Sequence, residues 1–312
     1  MDGLTPIGYE GLIAPQERPR FQESFLNFFA ARLRNDNTRA AYLYNLRRLF
    51  QWMDLNGLAL ERLTPAHIGI YIGALEGCTA TIQQHLAAIR KFFSHLLLDG
   101  LIRENPALVV EGPRLRRSEG KTPAFEREDL RRLLDSIERD TLVGLRDRAL
   151  ISTMFFTFGR ISAVIGLDLS DFIRLPRRSL LRLKEKMGLE HELPCHRDLE
   201  ELLLDYIEAS GIKGKNTPMF QPVRGCSQTL LGSRLSRGDA YKMIRRRTER
   251  LDLLPLFGCH SLRATGITQF LENGGTLEKA QKIAGHASPE TTKLYDRRVQ
   301  RDLREEIQRL RI

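Results

Sequence analysis

Apolar residues recur at every third or fourth position through run after run of this chain, and turn-forming residues break the runs at short intervals. That period points to helices that each bury one stripe against their neighbours. The run FQESFLNFFAARL places Phe21, Phe25, Phe28 and Phe29 near one face. A second, with Asn37 or Thr38 as its N-cap, repeats Leu43, Leu46, Leu49, Phe50 and Met53 and ends at Asn56-Gly57. Thr64 as N-cap and Pro65 at the first helical position open a third. TATIQQHLAAIRKFFSHLLLDG makes a fourth, closed by Gly100. Residues 21–111 therefore read as a four-helix domain, and residues 1–20, with no clear period, as a loose arm.

The stretch NPALVVEGPRLRRSEGKTPAF then interrupts the pattern with three prolines, two glycines and several basic residues. That is the composition of an interdomain linker, placed at residues 112–122. A second domain, 123–312, opens with a helix whose Leu130, Leu133, Leu134 and Ile137 share a face, and continues with the apolar helix LRDRALISTMFFTFG. LDLSDFIRL and RSLLRLKEKMGLEHELPC read as short strands, the latter a pair turning at Met187-Gly188. Helical patterns return from LEELLLDYIEAS to the chain end. The expected class is mainly α with a small β-sheet.

Lys and Arg total 49 against 39 Asp and Glu, a formal charge of +10, and the sequence has no low-complexity tract. An excess of this size favours a polyanion as partner. With 42% hydrophobic residues the chain has enough apolar surface for a sizeable core, which excludes a largely disordered or collagen-like chain. No apolar run approaches the roughly 18–20 residues needed to span a bilayer, and MDGLTPIGYEGLIAPQERPR lacks the plan of a signal peptide. Cys78, Cys195, Cys226 and Cys259 form no CxxC pair, which fits a reducing cytosol.

Some motifs are set aside. GIKGKNT at 211–217 lacks the first glycine of a phosphate loop and has Asn216 in the Ser/Thr place. His191, Cys195 and His196 have no second ligand cluster nearby to complete a metal site. Neither GxSxG nor HExxH occurs.

The chemistry-bearing residues concentrate late in the chain. His260 and Arg263, three apart, share a helix face. The planar fork of an arginine suits two phosphate oxygens at once. His286 follows Gly285 at a helix end, and Tyr295 lies nine residues beyond, after a helix start at Pro289. A phenol titrates near 10, so only about 0.1% is ionised at pH 7; a cationic pocket favours phenolate and stabilises charge building on a phosphate. Upstream stand Arg160, after an apolar helix, and Lys186, in a hairpin beside Lys184. Taken singly, each has a plainer reading: a solvated HxxR face, a helix C-cap, a half-buried aromatic, a helix-stopping arginine, a turn lysine.

Their order, Arg, hairpin Lys, HxxR, GH, then Tyr, resembles the tyrosine recombinases, or phage integrase family. RDRALISTMFFTFGRISAVIGLDLSDF is similar to that family's first arginine box, and HSLRATGITQFLENG with IAGHASPETTKLYDRR to its second. NTRAAYLYNLRRLFQWM and TATIQQHLAAIRKFFSHLLLDGLIRENPA resemble its core-binding helical bundle. The likeness covers residues from about 21 to 300 and is nearest the two-domain Xer-type members. Two positions depart from it: Ala163 stands where an acid often follows the first arginine, and the hairpin box reads Glu185-Lys186-Met187-Gly188 where GKG is common.

The resemblance implies the DNA breaking-rejoining fold: a four-helix core-binding domain, then a mostly helical catalytic domain with a small β-sheet. It implies Tyr295 as nucleophile, Arg160 and Arg263 on the phosphate oxygens and Lys186 as general acid. His260 would be a proton acceptor or hydrogen-bond partner, and His286 a phosphate contact. It implies no ATP or metal cofactor. The implied partner is duplex DNA with short inverted repeats, bound by a homotetramer in the synapse, in the cytoplasm and away from membranes. The tail residues Leu303, Ile307 and Leu310 would dock on a neighbouring subunit or pack on their own domain. Arg90, Lys91, Arg116, Arg117, Lys242, Arg245, Arg246 and Arg247 are candidates for DNA-backbone contact, or simply solvated faces. Two other functions stay open: a DNA-binding protein of the same fold impaired in cleavage, supported by Ala163, and a type IB-like topoisomerase. The two-domain plan and the length favour recombination.

Overall fold

The computed structural model describes residues 12–114, 122–185, 190–224, 228–253 and 257–297. The chain divides into two units, Met1–Arg116 and Arg117–Ile312.

In the first unit, Pro15–Glu17 forms a 3-10 turn that leads into α1 (Arg18–Asn27), which runs on as a π-helical turn over Phe28–Arg32. Helices α2 (Asp36–Leu55), α3 (Pro65–Gly73) and α4 (Thr79–Leu98) complete it. The expected aromatic face forms: Phe21, Phe25, Phe28, Phe50 and Phe92 are buried together, with Phe25 and Phe92 rings 5.7 Å apart. Thr64 caps α3 as anticipated, its backbone N–H donating to His67 Nδ1 at 3.2 Å while its hydroxyl accepts from the His67 amide. The cap of α2 falls on Asn35 instead of Asn37 or Thr38; Asn35 Oδ1 accepts from the Thr38 amide at 3.2 Å. The expected loose arm is tied down from Leu12 onward. Leu12 and Ile13 are buried in the aromatic core, and the Leu12 carbonyl accepts from Leu60 N at 2.8 Å.

The second unit begins with α5 (Arg127–Asp135), whose Leu130 and Leu133 are buried, and α6 (Leu142–Phe156), which is enclosed on all sides. A short α7 (Ile161–Ile165) precedes the antiparallel sheet β1 (Phe172–Leu175), β2 (Arg178–Lys184) and β3 (Glu190–Pro194), in that order. Leu181 and Leu183 alternate into the core, and Lys184 pairs with Glu190 in the last register position before residues 186–189. Then come α8 (Arg197–Ser210), an unforeseen two-residue ladder of β4 (Val223–Arg224) and β5 (Thr229–Leu230), and α9 (Arg237–Glu249). Helices α10 (Cys259–Glu272), α11 (Leu277–Ala284) and α12 (Pro289–Lys293) follow.

An enclosed helix with charges must pair them. Asp147 on α6 is fully buried; its Oδ1 accepts from Arg146 Nη2 at 2.6 Å and its Oδ2 from Arg247 Nη2 at 3.0 Å. Arg247 also donates to Glu138 at 2.9 Å. This corrects the reading of Arg247 as a DNA contact: it is an interior ion-pair partner. Asp147→Ala strands two buried guanidiniums and is expected to cost about 3–5 kcal/mol. A thermal melt should fall by roughly 10 °C; an unchanged midpoint would contradict the pairing.

Candidate active site

The turn after α6 aims the first arginine. Thr157 Oγ1 donates back to the Thr153 carbonyl at 2.6 Å and accepts from Gly159 N at 3.1 Å. Between them Phe158 adopts φ 52°, a left-handed conformation that costs a bulky residue strain. The turn leaves Arg160 as the N-cap residue of α7, its side chain 30% exposed. Helix α10 passes so close to this turn that a Cβ at Gly266 would lie 2.3 Å from the Phe155 carbonyl oxygen.

Arg263 projects inward from α10 and is 2% exposed. Its Nη1 donates to the Phe158 carbonyl and its Nη2 to the Ala284 carbonyl at 2.7 Å. The Ala284 carbonyl closes α11, where unpaired carbonyls concentrate negative potential, and the Phe158 carbonyl lies in the turn two residues past the end of α6. The fold thus holds a buried guanidinium between a helix end and a turn. Burial, and then the Arg160 charge, push Arg263 down to about 10, with Glu185 and hydrogen bonding to Tyr295 acting the other way. It stays protonated at pH 7.

His286 is set by the end of α11. Gly285 takes φ 58°, and the His286 amide donates to the Gln281 carbonyl at 3.1 Å. A Cβ at Gly285 would lie 3.3 Å from His191 Cε1 and 3.5 Å from Glu185 Cγ, a close fit, and the left-handed backbone is what calls for glycine here. His286 Nδ1 hydrogen-bonds the Thr292 hydroxyl at 2.9 Å, and the imidazole lies near-parallel to the Tyr295 ring, centroids 5.9 Å apart. Burial first, then Arg263 and Arg160, lower its pKa to about 3. At pH 7 it is therefore a neutral hydrogen-bonding group.

Tyr295 is half-buried against Phe158, Ile267, Leu271, Ala280 and Ala284. Its amide donates to the Thr292 carbonyl at 3.0 Å and its carbonyl accepts from Thr268 Oγ1 at 3.1 Å. His260 lies in the first turn of α10 and is exposed, whereas Arg263 on the same helix points inward. Its pKa is lowered by partial desolvation and by the charges of Arg263, Arg160 and Arg237.

Arg160, His260, Arg263, His286 and Tyr295 thus gather at one place, on the turn after α6, the start of α10, the end of α11 and the segment after α12. Lys186 lies outside the described residues, as do Arg116, Arg117, Leu303, Ile307 and Leu310. Its neighbour Lys184 stands 3.7 Å from Asp171. Of the other basic candidates, Arg90 is engaged with the Ala107 and Val110 carbonyls, and Arg245 pairs with Glu249 at 2.9 Å. Lys91, Lys242 and Arg246 are exposed.

The sequence reading did not single out Glu185 as a site group. This carboxylate, just past β2, hydrogen-bonds Arg160 through Oε2 and holds Oε1 3.8 Å from Arg263 Nη1. His191 was considered only as a metal ligand; it sits beside Gly285, and neither of its buried ring nitrogens has a hydrogen-bond partner among the described residues. No three His, Cys, Asp or Glu side chains among those residues gather to hold a metal ion.

The sequence model of the phage integrase family matches residues 124–301, and that of the phage integrase N-terminal SAM-like domain residues 23–100. Tyrosine recombinase XerC of Mycobacterium tuberculosis is 29% identical over 273 residues, 84% of this chain and 88% of that protein. Tyrosine recombinase XerD of Pseudomonas aeruginosa is 28% identical over 266 residues, 83% and 86% of the two chains. Among solved structures, XerH site-specific recombinase bound to palindromic difH substrate in a post-cleavage complex superposes with a TM-score of 0.68 at 21% identity, over 86% of this chain and 78% of that one. A lambda integrase dimer bound to a COC' core site gives 0.68 at 16% identity, over 92% and 82%. These structures share the fold.

Proposed function

The chain belongs to the phage integrase family, and from that premise we propose that it is a site-specific tyrosine recombinase that cuts and rejoins duplex DNA. The observation that carries this reading is the buried Arg263, held between a helix end and a turn with Arg160, His286 and Tyr295 around it. Two guanidiniums beside a phenol and a neutral imidazole suit a phosphodiester that gains negative charge as it is attacked.

In this reading the Tyr295 oxygen attacks phosphorus, loses its proton to His260 or solvent, and forms a 3′-phosphotyrosine bond. The bond from phosphorus to the 5′-oxygen breaks, and Lys186 gives that oxygen a proton. Arg160 and Arg263 bind the non-bridging oxygens, and His286 donates a hydrogen bond to one of them. The phosphotyrosine conserves the ester, so the 5′-hydroxyl of a partner strand can attack it, release Tyr295 and reseal the backbone. Repetition on four strands through a Holliday junction exchanges two duplexes.

The partner is duplex DNA bearing short inverted repeats, bound by a homotetramer. XerH and lambda integrase, each solved on a DNA site, support a DNA partner, as does the charge of +10. The four-helix domain of residues 21–111 and the basic linker at 112–122 supply phosphate contacts to the catalytic domain, with Lys91, Lys242 and Arg246 as exposed candidates. The protein acts in the cytoplasm, on DNA; no helix among the described residues is long and apolar enough to cross a membrane.

A nicked duplex, selected from a random pool for binding, tests the reading. Cleavage next to the nick lets the short 5′-hydroxyl strand diffuse away and should trap a detergent-stable protein–DNA adduct. No adduct on any bound duplex would overturn strand cleavage, and relaxation of arbitrary supercoiled plasmid without exchange between paired sites would point to a topoisomerase.

A further inference from the structure

Two like charges side by side are costly to bury, and the Arg160 charge does act against protonation of Arg263. Glu185 relieves this. Its side chain is 2% exposed, its Oε2 accepts from Arg160 Nη1, and its Oε1 lies 3.8 Å from Arg263 Nη1 with no hydrogen-bond partner among the described residues. Arg160, by contrast, keeps 30% of its side chain exposed. The carboxylate therefore sits on the inner side of the pair, wedged against Gly285, and leaves the outer side of Arg160 open to a ligand. A carboxylate at the mouth of the site, competing with phosphate, would be the more exposed partner.

The departures in the sequence fit the same arrangement. Ala163, where an acid commonly follows the first arginine in the resembling family, is buried in the core, and its methyl side chain offers the Arg160 guanidinium no polar partner. Glu185 stands in a hairpin box where a small residue is common. In this chain the acid that pairs with the first arginine stands at the end of β2, and a small residue stands on the helix after that arginine.

We propose that Glu185 is the positioning residue of the arginine pair, bridging Arg160 and Arg263 from the end of β2 and fixing both guanidiniums for one phosphate. It touches no substrate and acts only through the arginines. The inference rests on the strand-cleavage reading above.

Single-turnover adduct formation on the nicked duplex tests it, with wild type, Glu185→Gln, Arg160→Ala and the double variant, alongside Kd for an intact duplex. Glu185→Gln is expected to cleave about 10–100-fold more slowly, a loss of the size found when the carboxylate that orients a metal-binding histidine is removed. Its Kd should stay within about threefold, because the group contacts no DNA. The double variant should be slower than Arg160→Ala alone by clearly less than the full Glu185→Gln factor, since part of what Glu185 does passes through that arginine and the rest through Arg263. Glu185→Gln cleaving at the wild-type rate, or its loss multiplying with that of Arg160→Ala, would overturn the inference and leave the cleavage reading intact. Should Glu185→Gln fail to melt cooperatively, Glu185→Asp takes its place: it keeps the charge, is one methylene too short to bridge, and should show the same loss. If neither variant folds, Glu185 is a structural ion pair and the inference falls. Wild type forming no adduct removes the cleavage reading, and this inference with it.

Discussion

Tyr295→Phe is expected to form no covalent DNA adduct, a loss of at least about 10⁴-fold for removal of the attacking atom. The substitution deletes one oxygen and keeps the ring. The near-parallel contact with His286 and the packing on Ile267 and Leu271 both survive. The backbone bonds of residue 295, to the Thr292 carbonyl and from Thr268 Oγ1, do not involve the phenol. The cost in stability is therefore about 1 kcal/mol or less, from the loss of one half-buried hydroxyl. Kd for the duplex should stay within about twofold, since the charges that bind phosphate remain. A Phe variant that still forms the adduct would place the nucleophile elsewhere.

Arg263→Ala should be nearly as severe. Loss of one preorganised donor to a reacting phosphate costs about 10²–10³ in rate. Here it also orphans the Phe158 and Ala284 carbonyls, each worth about 1–3 kcal/mol when buried and unpaired. The same substitution leaves Glu185, 3.8 Å away, with Arg160 as its one remaining partner in the pair. Single-turnover cleavage and the thermal midpoint should both fall. Arg263→Lys separates charge from shape: an ammonium keeps the charge but cannot bond two carbonyls and present a fork to phosphate together. It is expected to recover less than a tenth of the wild-type rate. Full activity of the Lys variant would reduce Arg263 to a point charge.

Much of this was legible in the sequence because it is local. Helical periodicity marks α1, α2 and α4, and Thr64-Pro65 marks the start of α3, since caps and stripes are written in adjacent residues. Gly285 with His286 was legible for the same reason. The family resemblance then ordered residues that pattern alone would not have singled out from other basic ones. What was not legible depends on contacts distant in the chain. Arg247 reads as one basic residue in a run of three, and only α6, a hundred residues upstream, supplies the buried Asp147 that claims it. Leu12 and Ile13 lie in a stretch too short to show a period, yet they pack on the aromatic core. Glu185 was visible only as a departure from a glycine-bearing box. Its meaning needs the hairpin folded against the turn after α6 and the end of α11. The departure at Ala163 suggested a weakened enzyme; the structure shows the first arginine paired with an acid from another element.

The most direct measurement is the identity of the side chain that carries the DNA. The adduct trapped on a nicked duplex can be digested with nuclease and then trypsin, which cuts after Lys293 and Arg297 and isolates Leu294-Tyr295-Asp296-Arg297. Mass spectrometry should find that peptide carrying a nucleotide on Tyr295 through its 3′-phosphate. A nucleotide on any other residue, or one joined through a 5′-phosphate, would contradict the convergence of Arg160, Arg263 and His286 on a phosphorus within reach of Tyr295.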